Sequence, residues 1–255
     1  MDASELAAML DYSDHHWWYR GRRRVLAAVI DAIPLPPGAR LLDAGCGSGR
    51  ELDELAARGR VSGVDVSAVA VDCARARGHA DVQRAAIERM PFADSTFDLV
   101  TCLDVIEHTP DDRESLAELR RVTRPGGLLV VTVPAYPSLW SAHDVRNRHF
   151  RRYRAASLRA AAAESGWSVL RDTHFNALLL PPAAVVRLAR RRRAGADNSE
   201  RDGDAATGPA PSELAITPRA LDALLELPLR AEAGIIGGGR RIGAGLSLLA
   251  VMART

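Results

Sequence analysis

The chain has 255 residues, 47% of them hydrophobic and 26% charged, which is the composition of a globular protein with a sizeable core. A net charge of +2 gives no compositional reason to expect a nucleic-acid or strongly acidic partner. Three scattered cysteines, at positions 46, 73 and 102, exclude a disulfide framework and a zinc site. The sequence shows neither a signal peptide nor an apolar stretch that could span a bilayer, so we expect a cytoplasmic protein.

A helical segment begins the chain, and alternating strands and helices follow it. Residues 1–33 have a helical pattern, which the prolines and glycine of 34–38 end. Such alternation favours a parallel sheet with helices on both faces. The predicted strands are, in chain order, 40–43, 61–66, 81–85, 97–102, 128–133, 167–175 and 246–252.

The connection between the last two predicted strands is much longer than a hairpin needs, so we interpret residues 177–240 as an insertion. Within it, residues 194–211 are rich in Gly, Asp, Ala and Pro and are predicted to be disordered. A helix is predicted near residues 218–227. We expect one domain over 1–255, made of an N-terminal helical segment (1–37), a core (38–176), the insertion and a last strand (241–255).

A glycine-rich turn follows the first predicted strand. The strand ends at Asp43, and Gly45, Gly47 and Gly49 lead into the next helix. Glycines at such a turn let the backbone bend tightly and approach a ligand closely. The G-x-G-x-G spacing differs from the G-x-G-x-x-G of dinucleotide sites, which place a pyrophosphate at the helix N-terminus. A carboxylate before the turn suits a ligand with an ammonium and a sulfonium better than one with phosphates.

An acidic residue ends the second predicted strand. Asp65 lies 18 residues after Gly47, where a carboxylate can accept hydrogen bonds from both hydroxyls of a ribose. A glycine-rich turn alone is also compatible with simple tight packing. The combination of strand, turn, helix, strand and acid is much more specific, and it predicts a nucleoside-containing ligand.

Five stretches of the chain carry a combined signature, at 41–49, 64–67, 90–100, 103–108 and 119–127. Together they resemble the class I S-adenosylmethionine-dependent methyltransferases of type 11, near the ubiquinone-type small-molecule O-methyltransferases. The resemblance covers about residues 15–175 and the final strand. It implies a Rossmann-like, doubly wound, mainly parallel α/β sheet with an antiparallel last strand, preceded by an N-terminal helical lid.

The resemblance also implies which residues bind S-adenosylmethionine, with no metal expected. The glycine turn holds the methionine part, Asp65 and Val66 the ribose and adenine, and the N-terminal lid faces the cofactor. Many relatives have an aspartate near the adenine, where this chain has Ala86 and Ile87. The full predicted set is Tyr19, Arg22, Asp43, Gly45, Cys46, Gly47, Asp65, Val66, Ala86, Ile87, Leu103 and His108.

The acceptor should approach over the carboxyl ends of the fourth and fifth strands. Methyl transfer is an in-line displacement, so a general base is needed only if the acceptor arrives protonated. We predict His143 and His149 as candidate bases, with Asp144 orienting one of them. Tyr136, Trp140, Arg152 and Tyr153 are predicted to bind the acceptor. Alternatively, these residues form a network that only braces the loop after the fifth strand.

Every Lys/Arg position of the chain is arginine, and three clusters lie at 20–24, 146–154 and 187–193. The chain lacks the Asn-Pro-Pro-Tyr type of motif of nucleobase methyltransferases, so solvated faces are favoured over nucleic-acid binding. The apolar run at 178–188 with its cationic end is compatible with peripheral membrane contact and with core packing.

The predicted function is methyl transfer from S-adenosylmethionine to an O or N atom of a small molecule or peptide. A secondary metabolite and a quinone-like or lipid-like molecule are among the acceptors considered, and the insertion is expected to help select between them. Two alternatives remain open at this point: a nicotinamide-dependent oxidoreductase on the same fold, and a module that binds the cofactor without turnover.

Overall fold

The structure, a computed structural model, describes residues 16–181, 185 and 219–255. Its helices are α1 (Trp17–Asp31), α2 (Arg50–Ala56), α3 (Ala68–Ala76), α4 (Asp112–Val122), α5 (Ala142–Arg146), α6 (Ala155–Glu164) and α7 (Arg219–Gly237). Its strands are β1 (Arg40–Ala44), β2 (Arg60–Asp65), β3 (Val82–Arg84), β4 (Phe97–Leu103), β5 (Thr123–Pro134), β6 (Trp167–Phe175) and β7 (Ser247–Arg254). Short 3-10 turns, Ile106–His108 and Pro137–Leu139, follow β4 and β5.

The strands form one seven-stranded sheet in the order β3-β2-β1-β4-β5-β7-β6. β1 to β5 pair in parallel, whereas β7 is antiparallel to both of its neighbours. The expected mainly parallel α/β sheet with an antiparallel last strand is therefore confirmed. The strand order reverses between β1 and β4, and ligands of open α/β sheets bind at the carboxyl ends beside such a reversal.

Two apolar layers bury the faces of the sheet. One layer packs β-strand residues such as Leu42 and Val131 against α4 and α6. The other packs residues such as Leu41 against α1, α2, α3 and α7. All seven residues of β4 are buried, as expected for a central strand covered on both faces. Because both faces are covered, we expect the functional site at the carboxyl edge of the sheet.

The predicted turn at 124–127 lies inside β5. Thr123 pairs with Phe97, the register then shifts, and pairing resumes between Leu128 and Leu99. The turn residues form an irregularity within a strand that begins five residues before the predicted start at 128, and Gly126 has φ +76°. β6 has the predicted bounds, and the other predicted strands end within two residues of their observed positions.

The helix predicted near 218–227 is longer in the structure, because α7 continues through Pro228 to Gly237. A proline inside a helix removes one hydrogen bond and costs about 3 kcal/mol, which is why the sequence pattern predicted an end there. Leu229 and Ile236 lie beyond the proline and are buried in the layer that contains α1. Burial of this second half against α1 offsets the cost.

Some predictions fall outside the described residues. The predicted disorder at 194–211 and the start of the lid, 1–15, lie entirely outside them. The apolar run that was considered for membrane contact is described only at 178–181 and 185, where Leu178 and Val185 are exposed. In the described ranges, no helix combines the length and apolar character required to cross a membrane.

Candidate functional site

The glycine turn after β1 forms an open cradle. Gly45 and Gly47 have φ values of +87° and +52°, which favour glycine. A Cβ on Gly45 would lie 2.4 Å from Val105 Cγ2, whereas a Cβ on Gly47 would meet nothing within 4 Å. The Gly45 and Cys46 N–H groups both donate to the Val64 carbonyl, at 2.8 and 2.9 Å. The turn is thus fixed to β2 and faces empty space at Gly47.

Asp65 ties the end of β2 to this turn. Its Oδ2 accepts the Gly47 N–H at 2.9 Å and its Oδ1 accepts the Ser67 N–H at 2.8 Å. A carboxylate has about four acceptor positions, so both oxygens can still accept bonds from a ligand. The side chain is partly exposed. A preorganised acceptor therefore lies beside the cradle, where the ribose acid was predicted.

Apolar groups flank Asp65 and the cradle. Val66 is 67% exposed and offers an apolar surface beside Asp65. Ala86 is exposed and Ile87 is buried at the end of the segment after β3. Cys46 is buried, and its thiol packs beneath the turn, since a Cβ on Gly63 would lie 2.9 Å from Cys46 Sγ. These surfaces suit the flat, apolar face of an adenine.

Asp43 lies buried below the turn. Thr101 Oγ1 donates to Asp43 Oδ1 at 2.7 Å. Burial, reinforced by the negative charge of Glu51, raises the pKa of Asp43 to about 7. The carboxyl group is therefore poised between its neutral and charged forms near neutral pH. A cationic ligand group beside it would favour the charged form.

Arg22 of α1 reaches across the mouth of the cradle. Its Nη1 lies 2.6 Å from Asp104 Oδ2 and its Nη2 lies 2.6 Å from Glu51 Oε1. The Trp18 and Tyr19 rings lie 5.3 and 5.7 Å from its guanidinium carbon. Arg22 is buried, so this part of the 20–24 cluster is not the solvated face that was favoured from sequence.

The residues present fit S-adenosylmethionine. The open space at Gly47 admits a ligand close to the backbone, Asp65 offers acceptors for ribose hydroxyls, and Val66 offers an apolar face. Carboxyl groups at Asp43, Glu51 and Asp104 surround the end of the cradle where a cationic methionine group would lie. Leu103, also predicted, is buried at the end of β4 beside this group.

Asp144 is the centre of a polar network after β5. It is fully buried, and its Oδ1 accepts from His149 Nδ1 at 3.0 Å and from Arg152 Nε at 2.6 Å. The Ser141 N–H donates to its Oδ2 at 2.8 Å. Burial alone would raise the pKa of Asp144, but the bonds from His149 and Arg152 outweigh it and hold the pKa well below its ordinary value. The acid is therefore charged and orients His149.

His108, in the 3-10 turn after β4, contacts this network and lies between it and the candidate cofactor site. Its ring meets the His149 ring edge-on, with centroids 4.5 Å apart, and burial together with His149 lowers the pKa of His108. Glu107, which sequence reasoning did not single out, is buried beside them, and its Oε2 has no hydrogen-bond partner among the described residues. Burial and the charge of Asp104 raise the pKa of Glu107 well above its ordinary value.

The predicted acceptor-binding residues divide into two groups. The hydroxyl of the buried Tyr153 donates to Asp112 Oδ2 at 2.8 Å, and Arg152 Nη1 donates to the Ala135 carbonyl at 3.1 Å. Both side chains therefore stabilise the loop after β5. Tyr136 and Trp140 are only partly buried.

Tyr136 also has a neighbour that the sequence did not indicate. It has φ +60° and stacks on His174, with the rings 5.5 Å apart and 9° from parallel. The side chain of His143, in α5, lies outside the described part of the chain.

Comparison with known proteins identifies the family. A family model described as a methyltransferase domain matches residues 42–131. The ubiquinone biosynthesis O-methyltransferase of Thiobacillus denitrificans is 30% identical over 220 residues, which cover 80% of this chain and 87% of that one. An uncharacterized 37.1 kDa protein in transposon TN4556 of Streptomyces fradiae is 38% identical over 125 residues, but this chain spans only 36% of its length.

A solved structure with the same fold supports the assignment. It is a complex between the Haloferax volcanii Trm112 methyltransferase activator and a methyltransferase, with a TM-score of 0.62. The alignment covers 98% of this chain and 94% of that chain at 20% sequence identity, so the likeness concerns the fold alone. The cradle, the acid after β2, the matched family model and the Thiobacillus relative agree, and the chain belongs to the class I S-adenosylmethionine-dependent methyltransferases.

Proposed function

We propose that this methyltransferase transfers the methyl group of S-adenosylmethionine to a hydroxyl oxygen of a small molecule, with His149 as the general base. The observation that carries the proposal is the pair formed by the buried Asp144 and the partly buried His149, which is in contact with His108. The relative from Thiobacillus is named as an O-methyltransferase, which favours oxygen over nitrogen as the acceptor atom.

The donor site of the proposal is the cradle. S-adenosylmethionine supplies an electrophilic methyl carbon on a sulfonium, and the remaining work is positioning. Gly45 and Gly47 admit the methionine part, Asp65 accepts the ribose hydroxyls, and Val66 packs on the adenine. The lid residues Tyr19 and Arg22 keep water from the cationic end of the ligand.

The acceptor site requires a base because a hydroxyl must lose its proton as its oxygen forms a bond to carbon. Asp144 accepts from the Nδ1–H of His149, and this bond selects the tautomer whose Nε2 is the basic nitrogen. His149 takes the proton of the acceptor hydroxyl as the methyl carbon bonds to its oxygen and leaves the sulfur. That proton returns to solvent after the methylated product leaves.

Turnover with a panel of acceptors tests the proposal. Phenols and catechols, with and without a polyprenyl tail, are compared with the corresponding aromatic amines by S-adenosylhomocysteine release. We expect turnover with hydroxyl acceptors. His149→Gln should lower it by about 100-fold or more, while affinity for S-adenosylhomocysteine stays within twofold.

A bracing role gives a different result. If Asp144→Asn and His149→Gln lower the unfolding midpoint but leave the turnover per folded molecule unchanged, His149 is not the base. Turnover with the amines and none with the hydroxyl compounds would contradict the proposed acceptor atom.

A further inference from the structure

Glu226 of α7 is a fully buried carboxylate that binds three arginines. Its Oε1 accepts from Arg24 Nε at 2.5 Å and from Arg230 Nε at 3.0 Å. Its Oε2 accepts from Arg20 Nε at 3.0 Å. Two of these arginines belong to α1, more than 200 residues earlier in the chain, so Glu226 joins the two helices.

The cluster carries a net positive charge, because three guanidinium groups surround one carboxylate. Burial alone would raise the pKa of Glu226, but the hydrogen bonds and charges of Arg24, Arg230 and Arg20 outweigh it and lower the pKa. Loss of this carboxylate would leave arginines of α1 and α7 repelling each other. The charge of Glu226 therefore offsets the repulsion between the arginines where the two helices pack together.

The same stretch of α1 faces the donor site on its other side. Arg20 and Arg24 lie one helical turn apart and bind Glu226, whereas Arg22, between them, bonds Glu51 and Asp104. At 100° per residue, position 22 points nearly opposite to positions 20 and 24. The rotation of α1 about its axis therefore determines both contacts together.

Close packing restricts that rotation further. A Cβ on Gly21 would lie 2.3 Å from Leu229 Cδ1 and 2.7 Å from Leu229 Cβ, so α1 and α7 touch at this glycine. A second close approach joins Gly237 to Ala28, 3.1 Å from a Cβ built on the glycine. The helices behave as one unit with a defined angular setting.

We infer that Glu226 is a positioning residue for the cofactor: by holding Arg20 and Arg24, it sets α1 so that Arg22 and Tyr19 face the cradle. This inference rests on the cofactor placement in the proposed function. It gives the 177–240 insertion, which the sequence suggested would select the acceptor, a role at the donor site.

The test is a thermodynamic cycle on ligand binding, which needs no acceptor. S-adenosylhomocysteine binding is measured by calorimetry for the native chain, Glu226→Gln, Arg22→Ala and the double variant. We expect Glu226→Gln to weaken binding by about tenfold in the native background and by less than twofold when Arg22 is already alanine. Equal losses in both backgrounds, or no loss with Glu226→Gln, would overturn the inference.

Two further variants separate positioning from general damage. Glu232→Gln removes another buried carboxylate of α7, one that accepts the backbone N–H groups of Asn176 and Ala177 rather than an arginine of α1, and should leave binding within twofold. Arg24→Gln changes a half-exposed side chain, leaves the buried Glu226 in place, and should weaken binding in the same direction as Glu226→Gln.

These variants also distinguish the failure of this inference from the failure of the proposed function. A native chain that does not bind S-adenosylhomocysteine would refute the cofactor placement and this inference together. Binding that depends on Arg22 but is indifferent to Glu226 and Arg24 would refute the inference alone.

Discussion

At the scale of single residues, the proposed donor site contains two aspartates whose environments differ sharply. Asp65 is partly exposed and bonded to backbone N–H groups, whereas Asp43 is buried with one hydroxyl donor. Backbone donors favour a charged carboxylate, and burial disfavours it. Two aspartates of one site are therefore suited to different parts of the ligand, Asp65 to neutral hydroxyl donors and Asp43 to a cation.

Asp65→Ala should weaken S-adenosylhomocysteine binding by about 1.5–3 kcal/mol, because charge-assisted bonds to the ribose are lost. Calorimetric titration measures this directly. Asp72→Ala, which removes an exposed acid of α3, is the matched control and should leave affinity unchanged. Native-like affinity of the Asp65 variant would contradict the ribose assignment.

Asp43 predicts a pH dependence with a definite sign. Its pKa of about 7 lies above the ordinary aspartate value, so it holds a proton in the ligand-free fold below neutral pH. A cationic ligand group requires the charged form, and affinity for S-adenosylhomocysteine should therefore rise between about pH 6 and pH 8. For the ligand-free chain the sign is opposite, because the raised pKa stabilises the fold at low pH and this stabilisation is lost as the pH rises through about 7.

Titrations at several pH values, compared with Asp43→Asn, isolate this contribution. The asparagine variant should show a flatter affinity profile and a smaller fall in the free energy of unfolding over the same range. Parallel profiles for the two proteins would show that another group is responsible.

At the scale of helices and strands, the contact between α1 and α7 has a glycine at its tightest point. Substituting alanine for glycine inside a helix normally stabilises it by about 1 kcal/mol, whereas overpacking costs about 1–3 kcal/mol. At Gly21 the clash involves Leu229 Cβ, which no change of rotamer can move away. We therefore expect the cost of overpacking to exceed the gain in helix stability.

Gly21→Ala is accordingly expected to lower the free energy of unfolding by about 1 kcal/mol in urea denaturation. Gly234→Ala, in α7 where a Cβ would meet nothing within 4 Å, should instead stabilise the chain or leave it unchanged. Adding Leu229→Gly, which removes the clashing Cβ, should cancel most of the penalty of Gly21→Ala, since the two side chains compete for one space. Simple additivity of the two substitutions would argue against the close contact.

Element boundaries were predictable where local signals were strong. β6 has the predicted bounds because Gly166, at φ +79°, and Asn176, at φ +62°, flank the strand. The end of α7 was not predictable, because Pro228 is a local breaker and the burial that overrides it comes from α1. Tertiary packing sets the end of that helix, and tertiary packing cannot be read from a single sequence.

At the scale of the whole molecule, the candidate site likewise combines residues that local sequence predicts with residues that only the fold brings together. The glycine cradle and Asp65 belong to one strand–turn–helix–strand unit with parallel strands, so their spacing in sequence predicts that they lie close together. Glu107 and Glu226 are buried only because of the fold, and nothing in their local sequence distinguishes them from surface glutamates. Asp144 lies between these cases: the sequence predicted that it orients either His143 or His149, and the structure shows its contact with His149.

The position of β7 has a consequence for how the chain assembles. β7 comes last among the strands in sequence, yet it lies between β5 and β6. During synthesis the edge of β5 therefore stays unpaired until residues 247–254 emerge, and β6 has no neighbour to join. An open apolar edge of this kind promotes association between incomplete chains. Emergence of residues 247–254, rather than completion of the parallel strands β1 to β5, is therefore the step after which the protein can close its sheet.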